Sequence, residues 1–556
     1  MKRFIFVFYT NIGGIIMLKK NKILSLMLMS VLTTTIMITG CGKRNGGYSS
    51  EDYELSNINF PLTEEVTLKF MTQSSPLAPS DPNEKLIYKR LAEDTGINIQ
   101  WTNYVWDEYG EKRNLDIAAG DLPDAIMHAG LGDYDLLKLA KDGVIIPLED
   151  LVEQYMPNFK KVLEENPEYE GMIKTEDGHI YSLPWIEELG KGKESIHSID
   201  CIPWINTEWL NKLGLQMPTT TAELKEVLIA FKTKDPNGNG KNDEIPMSFR
   251  INGGGEDMSS LFGAFGLGDN GDHTVVTNEG KVILTAEQDG YKDAINYFAD
   301  LYAEGLIDLE AFEQDYNTYL AKAKDNKYGM YFTWDKANFT GSGDNYQAMP
   351  VLEGPGGIKN IARTNGMGFD RGRFVITTAN KNLELTAKWV DKLYEPIQSV
   401  QNNWGTYGDE NQDNVFEYDE NTNSLKHLPL GETPPHELRQ KIEVGGPLAI
   451  LDSYYGTVTT MPDDAVWRLG VVKDIYSPYM LADNIYPRVF FSLDDLDRLS
   501  KVEADLMPFV NRKRAEWIIS GNINKEWNSY LEELKRLGVE EWLEIKQRGY
   551  DNTAKK

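Results

Sequence analysis

The segment Val66-Thr67-Leu68-Lys69-Phe70 alternates apolar and polar residues, which is typical of a β-strand with one buried face. Residues 83–95 then place apolar side chains at helical spacing, and Gly96 follows as a C-terminal cap. Ile97-Asn98-Ile99-Gln100-Trp101 alternates again. A strand, a helix and a second strand within about 35 residues predict a βαβ unit, whose crossover makes the two strands parallel.

A third short strand is predicted at Ala125-Ile126-Met127, so the unit extends into an open α/β sheet. Ligands of such sheets bind at the carboxyl ends of the strands. We therefore expect Gln73, which follows the first predicted strand, and His128, which follows the third, to lie near a binding cleft.

Helices and short strands alternate again through the rest of the chain, and no repeat with a period of about 20–50 residues is visible. Helical spacing is present at residues 221–232, 288–304, 312–324 and 383–401, and strands are predicted at 329–332 and 373–377. The last part of the chain predicts helices at 493–510, 525–537 and 540–547. Two α/β lobes with a helical C-terminal segment are the predicted architecture.

The composition limits the classes of partner. The chain has 556 residues, with 57 Lys plus Arg against 86 Asp plus Glu and a formal net charge of −29. This balance argues against nucleic acid, because phosphate contacts require clustered Lys and Arg. Two cysteines are too few for a disulfide scaffold or a Cys-rich zinc module, and Cys201 is interpreted as a buried core residue.

The N-terminal segment has the pattern of a secretion signal. Residues 1–40 contain five basic residues and no acidic one, and Met17 is the expected natural start before an apolar stretch at 23–38. Ile38-Thr39-Gly40-Cys41 resembles the lipobox of bacterial lipoproteins, in which the cysteine is acylated, for example with palmitate. We expect a signal peptide at 1–40, lipidation of Cys41, a flexible tether at 41–62 and a position on the extracytoplasmic face of the cell membrane. An uncleaved anchor helix is the alternative.

Enzyme signatures are weak. The six histidines show no His-x-x-x-His spacing, and the chain contains no Gly-x-Ser-x-Gly motif. Gly266-Leu267-Gly268-Asp269-Asn270-Gly271 matches a dinucleotide-binding pattern, but it follows a predicted helix and precedes a predicted strand, so we interpret it as a turn. A pair of carboxylates for glycoside hydrolysis remains open, because 86 acidic residues offer many pairs. We expect a protein that is not an enzyme.

One loop has the ligand spacing of a calcium site. Residues 235–244 (DPNGNGKNDE) place oxygen-bearing side chains at positions 1, 3, 5 and 9, with glycine at position 6, as in the first part of an EF-hand loop. The candidate Ca²⁺ ligands are Asp235, Asn237, Asn239, the Lys241 carbonyl, Asp243 and Glu244. Pro246 stands at position 12, where an EF-hand has a bidentate glutamate, so Glu244 would have to replace that ligand. An ordinary Asn-Gly turn is the alternative.

Several motifs occur in an order that resembles the extracellular solute-binding lipoproteins of carbohydrate ABC importers, and especially the alginate oligosaccharide-binding proteins. These motifs are the lipobox at Cys41, residues 119–124 (AGDLPD), 177–185 (DGHIYSLPW) and 235–244, and Trp527, Tyr530, Leu537-Gly538 and Tyr550-Asp551. The resemblance implies a periplasmic-binding-protein-like fold with a hinge between two lobes, and calcium held by the six ligands named above. The lobes are expected to interleave, with residues 63–185 starting the first, 186–345 forming mainly the second, and 346–556 shared.

A sugar cleft needs flat aromatic faces and planar polar groups. The candidate sugar-stacking residues are aromatic residues at predicted turns or strand ends, namely Trp185, Trp204, Trp334, Trp404, Tyr454 and Tyr455. Arg371 and Arg373 could hold a carboxylated sugar through bidentate pairing. For each tryptophan the alternative is a place in the core, and for each arginine a surface or hinge charge. Trp517, Trp527 and Trp542 are predicted core residues of the terminal helices.

These features together predict a lipid-anchored, monomeric binding protein that captures an oligosaccharide and delivers it to an ABC permease. The alternatives are a cell-surface polysaccharide lyase or glycoside hydrolase, and a glycan adhesin that transports nothing. The negative net charge weighs slightly against a polyanionic glycan, because long-range repulsion slows its approach.

Overall fold

The computed structural model describes residues 58–409, 414–429, 431, 433–481 and 485–554. The predicted signal peptide, Cys41 and residues 41–57 of the tether lie outside the described residues. Within the described ranges, no helix combines the length and the apolar character needed to cross a membrane.

The strands of the described residues belong to two larger sheets and two hairpins. They are β1 (Val66–Ser74), β2 (Ile97–Val105), β3 (Ala125–Met127), β4 (Leu183–Glu187), β5 (Ile202–Asn206), β6 (Thr274–Val276), β7 (Val282–Leu284), β8 (Met330–Thr333), β9 (Tyr346–Ala348), β10 (Phe369–Ile376), β11 (Phe416–Asp419), β12 (Ser424–His427) and β13 (Leu448–Ile450).

The α-helices surround these sheets and also form the C-terminal segment. They are α1 (Leu86–Thr95), α2 (Trp106–Ala119), α3 (Asp133–Lys141), α4 (Glu149–Tyr155), α5 (Pro157–Glu165), α6 (Pro167–Ile173), α7 (Thr207–Leu213), α8 (Thr221–Thr233), α9 (Asp289–Ala303), α10 (Tyr316–Lys324), α11 (Leu383–Asp391), α12 (Pro396–Trp404), α13 (Pro435–Ile442), α14 (Asp463–Val471), α15 (Leu493–Ser520), α16 (Ile523–Arg536) and α17 (Val539–Ala554).

The first sheet has the strand order β13-β4-β10-β3-β1-β2. Strands β1 and β2 are parallel and in register from Val66 opposite Ile97 to Ser74 opposite Val105. This pairing confirms the βαβ prediction. Both strands are longer than their alternating segments predicted, so Gln73 lies inside β1 and does not follow it.

Strand β10 runs antiparallel to both of its neighbours, β3 and β4, in a sheet whose other pairs are parallel. Its register with β4 shifts between Asp370 and Phe374, which indicates a bulge. A bulge breaks the alternation of side chains. Arg371 and Arg373 therefore do not share one environment, although they are two residues apart.

The second sheet has the strand order β8-β5-β9, with antiparallel pairing throughout. All five residues of β5 are buried, because both faces of this sheet are covered. One hydrophobic cluster on this sheet includes residues of α8, α9 and the C-terminal helices, and a second one includes residues of α10 and of the segment after α14. The helices and strands of the first sheet form a separate cluster.

Two segments connect the sheets within the described chain. The first crossing segment, residues 188–201, leads from β4 to β5, and the second crossing segment, residues 349–368, leads from β9 back to β10. A third segment contains α14 and leads from β13 towards the C-terminal helices, which pack against α9. Each sheet is thus built from non-contiguous parts of the chain. The exact lobe boundaries given above stay a prediction.

The C-terminal tryptophans lie in the core, as predicted. Trp517, Trp527 and Trp542 are 1%, 5% and 1% exposed, and Cys201 is 4% exposed. The helix predicted at 383–401 is instead broken into α11 and α12, because Pro396 lacks an N–H donor and disfavours a helical residue before it.

The core of the first sheet contains a helix cap supplied by another helix. The carboxylate of Asp391, at the end of α11, accepts hydrogen bonds from the backbone N–H groups of Asn158 (3.2 Å) and Phe159 (3.0 Å). These donors lie in the first turn of α5, where no intrahelical acceptor exists. Asp391 therefore joins α11 to α5.

The substitution Asp391→Ala should lower the free energy of unfolding by about 1–3 kcal/mol, because it leaves two N–H groups without an acceptor in a buried position. Chemical denaturation followed by circular dichroism measures the change. The control Asp150→Ala removes an exposed carboxylate in the first turn of α4 and should change the free energy by less than about 0.5 kcal/mol. Equal effects of the two substitutions would contradict the capping role.

Candidate functional site

A cavity of about 180 Å³ lies where the first crossing segment meets the ends of strands from both sheets. Glu187 ends β4 in the first sheet, and Trp334 follows β8 in the second. Helices α12, α13 and α14 provide the remaining walls. The lining residues are Glu187, Ile196, Trp334, Asp335, Asn403, Trp404, Arg439, Glu443, Asp464, Ala465 and Arg468. This set combines indole rings, carboxylates, an amide and guanidinium groups.

A chain of hydrogen bonds fixes the side of the cavity that belongs to the first sheet. The indole Nε1–H of Trp185 donates to Oδ1 of Asn403 (3.0 Å), and Nδ2 of Asn403 donates to Oε1 of Glu187 (2.8 Å). The second carboxylate oxygen of Glu187 lies 3.4 Å from Nε2 of His197. The orientation of the Asn403 amide is therefore set by its two neighbours.

A second group of contacts forms the wall between α13 and α14. Nη2 of Arg439 lies 2.8 Å from the carboxylate of Asp464. The Cζ atom of Arg439 lies 4.3 Å from the ring centroid of Trp404, so the guanidinium stacks on the indole. Arg439 is thus held by an ion pair and by a cation–π contact at the same time.

Trp334 is held from behind by a buried arginine. The guanidinium carbon of Arg468 lies 3.4 Å from the ring centroid of Trp334, and the side chain of Arg468 is fully buried. Burial lowers the pKa of Arg468 to about 10, and the nearby carboxylates of Asp335 and Asp200 oppose this decrease. Arg468 is therefore still charged at neutral pH.

Two carboxylates at the cavity have raised pKa values. Burial raises the pKa of Asp335 to about 6, and Asp464 adds to this increase. Burial also raises the pKa of Glu443 to about 7, although the charges of Lys85 and Arg439 act in the opposite direction. Both groups are thus poised to change protonation state within the range of ordinary buffers.

Most of the predicted aromatic residues come together at this place. Trp404 belongs to one hydrophobic cluster, and Trp185, Trp334, Tyr454 and Tyr455 pack against that cluster as partly buried rings. Trp334 and Trp404 line the cavity directly. The other three lie beside it within the same cluster.

Two predicted contact residues do not reach this cavity. Trp204 is fully buried in the second sheet, its ring stacks on Trp467 at a centroid distance of 4.8 Å, and it has no face free for a sugar. The guanidinium of Arg371 makes two hydrogen bonds to Asp133 (2.7 and 2.5 Å) and further ones to backbone carbonyls, and it stacks on Phe490. Trp204 is therefore a core residue, whereas Arg371 lies at a different, larger cavity with its guanidinium already paired.

Gln73 and Arg373 also do not line this cavity, and both have partners of their own. Nε2 of Gln73 donates to the carbonyl of His128 (2.9 Å). Nε of Arg373 lies 2.7 Å from the carboxylate of Asp370, and its guanidinium lies 5.7 Å from the Trp185 ring. Both side chains, on β1 and β10, are therefore held by contacts with neighbouring residues.

The sequence patterns did not reveal the polar residues that line the cavity from β4 and the helices. They are Glu187, Asn403, Arg439, Glu443, Asp464 and Arg468. Glu187 could have been found, since it ends the strand that contains Trp185. The others occur in or next to ordinary amphipathic helices, where a polar residue usually faces solvent, and no local pattern separates them from such residues.

A larger cavity of about 570 Å³ lies elsewhere, lined by residues of 133–371 and 486–546. Among its charged groups, Arg371 pairs with Asp133, and Lys546 lies 3.6 Å from Glu503. Its indole, Trp542, is 1% exposed and offers no free face, in contrast to the partly exposed ring of Trp334. The smaller cavity is therefore the candidate ligand site.

The loop 235–244 holds its oxygen atoms together through its own backbone. Oδ1 of Asp235 accepts hydrogen bonds from the N–H groups of Gly238 (3.0 Å) and Asn239 (3.1 Å). The side-chain amides of Asn237 and Asn239 both donate to Oδ1 of Asp243 (3.2 and 2.8 Å). Asp235, Asn237, Asn239 and Asp243 are thus connected to one another and to the loop backbone by hydrogen bonds.

Glu244 stands out within this loop. Both of its carboxylate oxygens are buried and make no hydrogen bond. Burial raises the pKa of Glu244, the nearby backbone N–H groups of Glu244 and Asn237 lower it, and the carboxylates of Asp235 and Asp243 add to the increase. A carboxylate whose oxygens make no hydrogen bond of normal geometry, next to two others, fits a divalent cation as its partner.

Comparison with known proteins now defines the class of the chain. The family of bacterial extracellular solute-binding proteins matches residues 80–399. The chain belongs to this family. The mixed α/β architecture agrees with this family, so the predicted two-lobed, periplasmic-binding-protein-like fold is confirmed.

One relative is particularly similar. The fructooligosaccharide ABC transporter substrate-binding protein FusA of Streptococcus pneumoniae serotype 4 is 60% identical over 522 residues, which cover 94% of this chain and 97% of FusA. The structure of FusA in complex with kestose has a TM-score of 0.86 and 61% identity, covering 88% of this chain and all of that one. A FusA EF-hand mutant in complex with fructo-nystose has the same TM-score and 60% identity, with the same coverage of both chains. The alginate-binding protein AlgQ2, at 22% identity and a TM-score of 0.66 over 88% of this chain and 99% of its own, shares the fold.

The raised pKa of Glu443 gives a pH prediction. Its carboxyl loses a proton near pH 4.5 in the unfolded chain and near pH 7 in the folded one, so folding stability is lost as the pH rises through this window. Glu443→Gln removes this effect. The melting temperature of the variant, relative to wild type, should therefore increase between pH 5 and pH 8, as measured by differential scanning fluorimetry.

The matched control Glu417→Gln removes an exposed carboxylate on β11. Its melting temperature relative to wild type should not depend on pH in this range. A pH-independent difference for Glu443→Gln would show that the carboxyl titrates at its ordinary pH.

Proposed function

We propose that this protein captures a fructooligosaccharide outside the cytoplasm and delivers it to an ABC permease. The observation that carries the proposal is the 60% identity with FusA, which extends over nearly the full length of both chains. The cavity around Trp334 lies between elements of the two sheets, where closure of the lobes would enclose a ligand.

The chemistry of the cavity suits a neutral sugar. The indole rings of Trp334 and Trp404 offer flat apolar faces for the C–H side of a furanose or pyranose ring. Glu187 and Asp335 offer carboxylate oxygens that accept hydrogen bonds from hydroxyl groups. Carboxylates outnumber guanidinium groups among the lining residues, which disfavours an acidic sugar such as an alginate fragment.

The cavity is small for an oligosaccharide. Ligand pockets commonly enclose about 300–1,000 Å³, whereas this cavity has about 180 Å³. A trisaccharide would therefore require the walls to move apart. We infer that the sugar enters when the lobes separate and is enclosed when they approach again.

We also propose that acylated Cys41 anchors the protein to the extracytoplasmic face of the membrane. Secretion agrees with the family, whose members are extracellular. The tether that follows Cys41 would leave the folded part free to meet the permease. The proposal for the anchor rests on the lipobox at 38–41 alone.

The first test is binding of 1-kestose by isothermal titration calorimetry. Wild type should bind kestose and nystose, and Trp334→Ala should lower the affinity at least about tenfold, equivalent to about 1.4 kcal/mol, because it removes a stacking face. The control Tyr479→Ala removes another aromatic ring, 37% exposed and outside the cavity, and should bind like wild type.

Each alternative predicts a different result. Release of reducing sugars from kestose during a long incubation would indicate a glycoside hydrolase. Binding of an alginate oligosaccharide without binding of kestose would overturn the proposed ligand. Binding of kestose without uptake by cells that carry the permease would favour an adhesin.

We further propose that the loop 235–244 binds Ca²⁺ as a structural ion. Asp235, Asn237, Asn239, Asp243, Glu244 and the carbonyl of Lys241 would hold it. Two observations support this: the buried oxygens of Glu244 make no hydrogen bond of normal geometry, and the similar FusA structure is named an EF-hand mutant. The ion would neutralise three carboxylates that otherwise repel one another.

Calcium should therefore stabilise the protein. At a free Ca²⁺ concentration 100 times the dissociation constant, the expected gain is about 2.7 kcal/mol, which appears as a higher melting temperature than in excess chelator. Glu244→Gln should weaken this response, whereas Glu226→Gln, an exposed substitution on the preceding helix α8, should retain it. A melting temperature that is the same with Ca²⁺ and with chelator would overturn the assignment.

A further inference from the structure

Arg468 on α14 is 1% exposed and makes hydrogen bonds only to backbone carbonyls. Its Nε–H donates to the carbonyl of Ile196 (3.1 Å), while Nη1 and Nη2 donate to the carbonyls of Trp334 and Ile199. Among the described residues, no carboxylate forms an ion pair with it. Its charge is therefore stabilised by backbone dipoles, by the Trp334 ring, and by the carboxylates of Asp335 and Asp200 beyond ion-pair distance.

These contacts join three separate parts of the chain. Ile196 and Ile199 lie in the first crossing segment, Trp334 follows the last residue of β8 in the second sheet, and Arg468 belongs to the segment after β13. If one of these parts moved away, a buried guanidinium N–H would lose its acceptor, which is strongly unfavourable. The three parts must therefore move together.

The second crossing segment is attached to the first one by hydrogen bonds, close to the residues that Arg468 contacts. The N–H of Thr364 donates to the carbonyl of Ser198 (3.1 Å), and its hydroxyl donates to the carbonyl of His197. Glycines with positive φ lie on the first-sheet side of these attachments: Gly190 in the first crossing segment and Gly368 in the second. Glycine adopts these angles without strain and has no side chain to oppose a change of torsion angle, although the backbone is closely packed at both positions: a Cβ atom at Gly190 would lie 2.5 Å from the carbonyl oxygen of Glu194.

We propose that Arg468 is a positioning residue that locks the stacking ring of Trp334 to both crossing segments, so that the lobes close by bending at residues 188–195 and 365–368. The proposal rests on the proposed function, because the stacking ligand is the captured sugar. A sugar that contacts Trp334 therefore acts on the hinge through Arg468. Ligand binding and closure of the lobes are coupled in this way.

The test uses two variants of the full-length protein. Arg468→Lys keeps the positive charge but loses the planar fork that reaches three carbonyls, and Arg468→Met removes the charge at similar length. The control is Arg514→Lys, which alters another buried arginine, 3% exposed and paired with Asp257 at 2.7 Å, outside the cavity of Trp334.

For both Arg468 variants, we expect about tenfold weaker binding of kestose in calorimetry. We also expect a smaller kestose-induced decrease in the radius of gyration, measured by small-angle X-ray scattering. Arg514→Lys should keep the affinity and the decrease of wild type. If the Arg468 variants lose only melting temperature and keep both ligand responses, Arg468 has a purely structural role and the proposal is overturned.

Hydrogen–deuterium exchange without ligand separates this proposal from the proposed function. In wild type, residues 188–195 should exchange faster than 196–200, and in Arg468→Lys the segments 196–200 and 334–338 should both become faster. If this outcome were observed together with no binding of kestose, the locking role of Arg468 would stand and only the proposed sugar ligand would be refuted. Slow, uniform exchange across 188–200 in wild type would overturn the proposed bending site even if neither variant folds.

Discussion

The position of β10 between β3 and β4 is the constraint on which the rest of the molecule depends. This strand enters the middle of the first sheet after the chain has already built the second one, so two segments must cross side by side between the sheets. The backbone is tightly packed there: a Cβ atom at Gly372 would lie 1.9 Å from the carbonyl oxygen of Leu131, and one at Gly368 would overlap the carbonyl of Glu187. Both positions require glycine, and Gly368 also has a φ of 63°. The crossing brings the second crossing segment against Glu187, whose N–H donates to the carbonyl of Gly368 (2.7 Å), and Glu187 lines the cavity.

Local patterns revealed the elements whose partners lie nearby in sequence. β1 and β2 could be predicted because alternation and a connecting helix are both visible within a short segment, and their pairing follows from the crossover rule. The antiparallel placement of β10 could not be predicted in this way. Its partner β3 lies some 240 residues earlier in the chain. The pairing is decided by which strand can occupy the position between β3 and β4, and the sequence of either strand alone does not show this.

The candidate site shows the same difference between features that follow from local sequence and features that depend on distant parts of the chain. Trp334 follows a strand and lines the candidate cavity, whereas Trp204, which was expected at a turn or strand end, lies buried inside β5. Its strand β5 is buried on both faces, and a strand of this kind shows no alternation from which its position could be predicted. Asn403 and Arg439 belong to helices whose polar residues look like surface residues. Only the pairing of Asn403 with Glu187 and of Arg439 with Asp464 shows that they face a cavity.

Two buried arginines, Arg371 and Arg468, illustrate how the protein uses charge. Arg371 is neutralised by Asp133 through a bidentate ion pair, so the guanidinium that was expected to hold a carboxylated sugar already holds a carboxylate of the protein. Arg468 has no such partner among the described residues, and its guanidinium instead donates to three carbonyls of two chain segments, the first crossing segment and the residue that follows β8. A carboxylate at the same place would satisfy the charge without connecting those segments. Carbonyl groups are part of the backbone. Arg468 therefore couples the position of the Trp334 side chain to the main chain of the segments whose carbonyls it contacts. This difference assigns Arg371 to stability and makes Arg468 the residue through which a change at Trp334 would reach the hinge.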